Sequence, residues 1–181
     1  MMKKIAGLVV VLCAFAPPKL VKTKITDEIT VSLPDSFVKM TDDDIVVRST
    51  MVRAPLGAYT NRDRDIDFTA NISATQWPDG NLEMAAKFFK SNIYNLYDRV
   101  DMINSGIHTI NKKKFIFFEF ESRVNGNKLK ESERMAVYRY SYVQYLVEKN
   151  RTLVFTFNCS KNQREDWQAT AHAVMKSIKV K

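Results

Sequence analysis

Residues 114–160 constrain the fold more than any other stretch of the chain. "KFIFFEFESRV" and "KLKESERMAVYRYSYVQYLV" flank Asn125-Gly126-Asn127, and "EKNR" then leads into "TLVFTFNC". Asn-Gly is the favoured pair for a tight hairpin because both residues tolerate positive φ. The spacing therefore predicts one hairpin at 125–127 and a second at 148–151. In "FIFFEF", Ile116, Phe118 and Phe120 point one way and Phe115 and Phe117 the other. A sheet with water on one side would alternate more cleanly, so this run requires an antiparallel sheet covered on both faces.

The flanking segments supply the cover. "EITVSLPDSF" places Ile29, Val31 and Leu33 at period two before a Pro34-Asp35 turn. "DIVVRSTMVRA" reads as a second strand, and "DIDFTANISATQW" as a third, with Ile66, Phe68, Ala70, Ile72 and Ala74 alternating. "WPDGN" ends it. The period then changes: Leu82, Ala85, Phe89, Ile93 and Leu96 follow helical spacing, with Asp79 or Asn81 placed to cap the N-terminus. "DMINSGIHTI" is strand-like. In the last segment Ser160 and Gln163 are spaced as a capping box, and Trp167, Ala171, Val174 and Ile178 form an apolar stripe. The expected class is α+β, an antiparallel sheet with helices on both faces.

In "MAVYRYSYVQYLV", Tyr138, Tyr140 and Tyr142 share one face of a strand. Two readings are open. The rings pack beneath a helix with their hydroxyls reaching for partners at the edge, or they line a ligand pocket between sheet and helix together with Trp77. The packing reading comes first.

The first sixteen residues read as a secretory leader. "MMKK" is basic, "IAGLVVVLCAF" is an uncharged apolar run too short for a permanent membrane anchor, and "AFA" offers small residues two apart. Pro17 makes the cleavage site imperfect. Cys13 suggests a lipoprotein, whereas Leu12 before it is bulkier than lipidation prefers. The expected organisation is a leader over 1–16, a tether over 17–24 and one domain over 25–181. Without the leader Cys159 is alone, and its place at the end of an apolar strand fits a small buried hydrophobe.

The chain has 28 Lys and Arg against 20 Asp and Glu, of which the leader holds Lys3 and Lys4, so the remainder carries about +6. These charges are scattered and not interleaved with stacking aromatics, which argues against nucleic acid. Catalytic signatures are also missing. His108 and His172 form no metal-binding pair, and no phosphate loop or nucleophile elbow appears. A Cys159–His172 pairing is separated by a helix start. Asp63, Asp65 and Asp67 echo the opening of a calcium loop, but Phe68 and Ala74 stand where that loop needs glycine and glutamate. Arg62 and Arg64 are the expected partners of these acids. No metal or cofactor is expected, and the sequons at Asn71, Asn150 and Asn158 read as chance.

"ITVSLPDSF", a strand pair, "NLEMAAKFFKSNIYNLY", the hairpins and "NRTLVFTFNCSKNQREDWQATAHAVMKSIKV" together resemble the PsbP-like/DcrB-like superfamily over residues 25–181. The resemblance implies an α/β/α sandwich on a twisted, mainly antiparallel sheet, closed by a terminal strand after Ile178. It also implies a small bacterial protein, exported or lipid-anchored, that binds other proteins. No binding residue carries over. The first reading is thus a non-enzymatic, exported interaction module of the bacterial envelope, periplasmic or at the outer membrane, with a protein partner. Membrane attachment would come only through a lipid on Cys13. The second is a small-ligand carrier or weak enzyme, and the third a cytosolic chaperone that keeps its leader.

Overall fold

Among the described residues, ten strands and three helices build the domain. The computed structural model describes residues 18–48, 53–77, 80–125 and 135–181. The leader, Cys13, Asp79 and residues 126–127 of the first hairpin lie outside these. The strands are β1 (Leu20–Lys24), β2 (Ile29–Pro34), β3 (Val38–Lys39), β4 (Gly57–Thr60), β5 (Asp67–Ile72), β6 (Arg99–Ile110), β7 (Lys113–Val124), β8 (Val137–Glu148), β9 (Arg151–Ser160) and β10 (Lys179–Val180). The helices are α1 (Asp42–Arg48), α2 (Leu82–Leu96) and α3 (Arg164–Lys176), the last preceded by a 3-10 turn at Lys161–Gln163. Seven strands form an antiparallel sheet in the order β3-β4-β5-β9-β8-β7-β6, and β1-β2-β10 form a second, smaller one.

The apolar pattern sets the register. Phe118 lies opposite Val143 and Phe120 opposite Ser141, which continues to Val124 opposite Val137. The turn expected at Asn125-Gly126 falls outside the described residues. A one-residue slip would turn the whole set of core side chains outward, so this register is fixed by the packing. The second hairpin is as expected: Glu148 pairs with Arg151 around Lys149-Asn150. Another tight turn joins β6 to β7. Asn111 (φ 49°) and Lys112 (φ 69°) both take left-handed backbone, as such hairpins need.

Two cores result, one per face of the large sheet. On one face Phe68, Phe155, Phe157 and Tyr140 meet Ala171, Val174 and Met175 of α3 and Ile29, Val31 and Leu33 of the small sheet. On the other, Ile116, Phe118, Phe120 and Val143 meet Ala85, Phe89 and Ile93 of α2. The helices cover both faces, as the "FIFFEF" run required. Asn81 caps α2, its side chain accepting from the Met84 amide at 3.0 Å. The Gln163 side chain returns to the Ser160 amide at 3.3 Å, the capping box read from sequence.

Two segments differ from expectation. Residues 20–24, read as part of a tether, are β1, paired along β2 from Leu20–Pro34 to Lys24–Thr30. Leu20 packs on the core and anchors this strand, whose Val21 is exposed. The segment from Asp44, read as a strand, begins as helix α1. Thr41 and Asp44 form a reciprocal cap: the Thr41 amide donates to Asp44 Oδ2 at 3.0 Å and the Asp44 amide to Thr41 Oγ1 at 3.2 Å. Asp42, Asp43 and Asp44 then complement the helix N-terminus, which outweighs the strand preference of Ile45, Val46 and Val47.

Candidate functional site

The three tyrosines share the face covered by α3, but their environments differ. Tyr138 is 47% exposed, with the Arg123 guanidinium 5.7 Å from its ring centre. It borders a shallow depression where Lys161 and Arg164 pair with Glu121 at 2.6 and 2.9 Å. Tyr140 and Tyr142 are buried. Tyr142 stacks with Phe117 and meets the His172 ring edge-on at 5.1 Å. Trp77 lies with α2 on the opposite face, 5.3 Å from the Phe88 ring. The four residues do not meet in one pocket.

Tyr140 instead belongs to a buried polar cluster. Its hydroxyl donates to Glu119 Oε1 at 2.7 Å, the Gln168 amide donates to the same oxygen at 2.6 Å, and His172 Nε2 lies 3.0 Å from it. Facing a carboxylate that only accepts, that nitrogen carries the hydrogen. Burial would push the Glu119 carboxyl up, but the bonds from His172, Tyr140 and Gln168 outweigh it and hold it below the usual range. Burial, reinforced by that carboxylate, raises Tyr140 and keeps its hydroxyl a donor. The cluster joins β7, β8 and α3.

Its pH dependence follows from this direction. A carboxyl whose folded pKa is depressed adds stability present above its unfolded value of about 4.3 and lost as pH falls through the folded value. Urea unfolding of the wild type and Glu119→Gln from about pH 6 down to about pH 3 should show the wild-type advantage shrinking below about pH 5. An advantage that grows on acidification would contradict this assignment. Asp67, raised chiefly by burial, has the opposite sign but is common to both proteins.

The other residues singled out in the sequence have structural contacts. Cys159 is buried and its thiol is pushed up to about 12 by burial, so it is neutral at physiological pH and does not pair with His172. His108 stacks on Phe117 and bonds Gln144 at 2.9 Å. Asp67 pairs with Arg48 at 2.6 Å, and Arg64 pairs with Asp44. Asp65 accepts from Asn61 and Gln163. The arginine partners of the acidic stretch are thus Arg48 for Asp67 and Arg64 for Asp44, in place of Arg62 and Arg64 within the stretch. Asn71 is buried in the sheet.

A different place is concave. α2 covers the β8-β7-β6 half of its sheet face and leaves the β4-β5-β9 half uncovered among the described residues. The resulting cleft of about 410 Å3 has a floor of Asp67, Thr69 and Asn71 from β5 and Val154, Thr156 and Asn158 from β9. Ile93 and Leu96 of α2 form one wall, Ile45 and Arg48 of α1 the other, and Arg139 enters from β8. That size accommodates a drug-sized molecule. The Asn71 amide nitrogen donates to Thr69 Oγ1 at 3.2 Å, whereas its buried Oδ1 has no partner among the described residues. Arg139 has no carboxylate partner among them.

The apolar face of β5 and β9 dominates their sequence pattern, and the cleft lies on the opposite face. "DFTAN" and "VFTFN" carry polar residues along one face, on strands central to the sheet. That polar stripe was the available signal for an open half-face.

No protein-family model matches the chain, and no curated protein sequence matches it significantly. Solved structures do. The cyanobacterial PsbP protein (CyanoP) of Synechocystis sp. PCC 6803 matches with a TM-score of 0.59 at 11% identity, over 97% of this chain and 98% of that one. The Ran-binding protein Mog1p of Saccharomyces cerevisiae matches with a TM-score of 0.54 at 12% identity, over 90% and 96%. LpqN of Mycobacterium tuberculosis, involved in cell envelope biogenesis, gives 0.54 at 10% identity, over 90% of each chain. At these identities the likeness speaks to architecture alone: the chain has the PsbP-like fold.

Proposed function

We propose that this protein is a non-catalytic binding module of the bacterial cell envelope, exported by its leader, that holds its ligand in the cleft between α1 and α2. The observation that carries this reading is the cleft itself: about 410 Å3, apolar walls, and polar groups converging on its floor. It supports small-ligand carriage over the pocket first considered at Tyr138, Tyr140, Tyr142 and Trp77. Of the ionisable groups lining the cleft, Arg48 pairs with Asp67, and the described residues form no nucleophile–base arrangement there. LpqN's part in envelope biogenesis supports the address.

A second reading, docking of a protein partner over the same cleft, is favoured by exposed apolar side chains on the flanking helices. Val46 and Val47 of α1 are 77% and 84% exposed, and Leu96 of α2 is 71% exposed. Mog1p, a Ran-binding protein of this fold, supports it by analogy.

Native mass spectrometry of the protein isolated gently from its own cells tests both readings. Thr156→Trp fills the cleft floor, and Ala173→Trp on the exposed side of α3 serves as control. A small bound mass present in the wild type and control but absent from Thr156→Trp supports carriage. A protein complex lost in the same pattern supports docking. A bound species that Thr156→Trp retains, or no bound species at all, overturns both.

A further inference from the structure

The polar groups of the cleft are arranged unevenly. At one end Arg48 and Arg139 stand with the single carboxylate of Asp67, and Arg48 is already paired to it at 2.6 Å. Within the cleft lining the two guanidiniums outnumber the carboxylate by one, and Arg139 is the one with no direct ion pair among the described residues, while Arg64 and Asp65 lie beyond it in the adjoining depression. Four residues along β5, about 13 Å at the rise of a strand, lies the other end, where the buried Asn71 Oδ1 has no partner. Opposite Asn71 on β9 is Val154, and Ile93 of α2 adds to the apolar wall between the two ends.

We infer that the cleft selects an elongated amphiphile with one anionic head, held by Arg139, and a hydrogen-bond donor at its far end, held by Asn71. This rests on the cleft being the binding site, as proposed above. A charge-assisted contact from a guanidinium is roughly twice as strong as a neutral one. A buried carbonyl oxygen left unpaired carries a desolvation penalty that a ligand donor removes. The apolar middle supplies most of the buried area and little of the selectivity.

The probes are 10-hydroxydecanoate, decanoate and decane-1,10-diol, titrated calorimetrically into the full domain. The wild type is expected to bind 10-hydroxydecanoate one to one, about tenfold or more tighter than the diol, which lacks the charge. It is also expected to bind decanoate severalfold more weakly than 10-hydroxydecanoate, because decanoate lacks the donor. Arg139→Gln should erase the advantage over the diol, Asn71→Val the advantage over decanoate, and Thr156→Trp all binding. Ala58→Leu narrows the same floor if Thr156→Trp does not refold.

Equal affinity for the three probes, a preference that survives Arg139→Gln, or binding unaffected by a filled floor overturns the inference. Absence of probe binding, with a cleft-dependent bound species still present in native mass spectra, overturns the ligand class alone and leaves the site standing.

Discussion

Replacing Glu119 with alanine is expected to lower the unfolding free energy by about 3 kcal/mol, because it strands the Tyr140 hydroxyl in the core and removes the charge-assisted bonds from Gln168 and His172. The carboxylate is 1% exposed and receives Tyr140, Gln168 and His172 on one oxygen. Its removal leaves the Tyr140 hydroxyl without an acceptor in the core and unties α3 from β7. Tyr140→Phe removes one donor and leaves Glu119 two others, so its cost should be nearer 1 kcal/mol. Urea unfolding at neutral pH separates the two. A loss below about 1 kcal/mol for Glu119→Ala would show that the cluster contributes little net stability, as some buried ionic groups do.

Phe89→Ala should be comparably damaging, at about 3–5 kcal/mol, through the lost transfer energy and the cavity left behind. Phe89 is 2% exposed and stacks on Tyr145 with ring centres 4.2 Å apart and planes 9° apart. With Ala85 and Ile93 it forms the buried stripe that holds α2 to the sheet. The effect reaches the site, since α2 is one wall of the cleft. Hydrogen exchange should show the α2 amides losing protection before those of β9, which sits between β5 and β8. Uniform loss across both elements would mean that α2 and the sheet open together, and that the wall does not move alone.

The two predictions concern opposite faces of one sheet, and the sequence was unequally informative about them. Helical spacing at Ala85, Phe89 and Ile93 and strand alternation in β5, β7, β8 and β9 were readable because tertiary packing and local period agree there. Tyr140 and Tyr142 were correctly placed beneath a helix. The partner of Tyr140 was hidden, because Glu119 in "FFEF" reads as an exposed position until α3 brings Gln168 and His172 over it. Helix α1 was obscured by its β-branched run, although the Thr41-to-Asp44 spacing carried the cap that decides the matter. Missing α1 also meant missing the cleft, since one of its walls is that helix. Strand β1 gave only Leu20 as an apolar anchor, too little for periodicity to register.

A photocrosslinking residue on the rim of the cleft reports whether ligand is held there. Leu96 and Ala173, exposed positions on α2 and α3, would each be replaced by benzoylphenylalanine in the protein as its own cells make it. On illumination, a discrete covalent adduct is expected from position 96 that is absent from position 173 and disappears when Thr156→Trp fills the floor. An adduct at 173 alone, or one at 96 indifferent to Thr156→Trp, would place recognition elsewhere on the molecule.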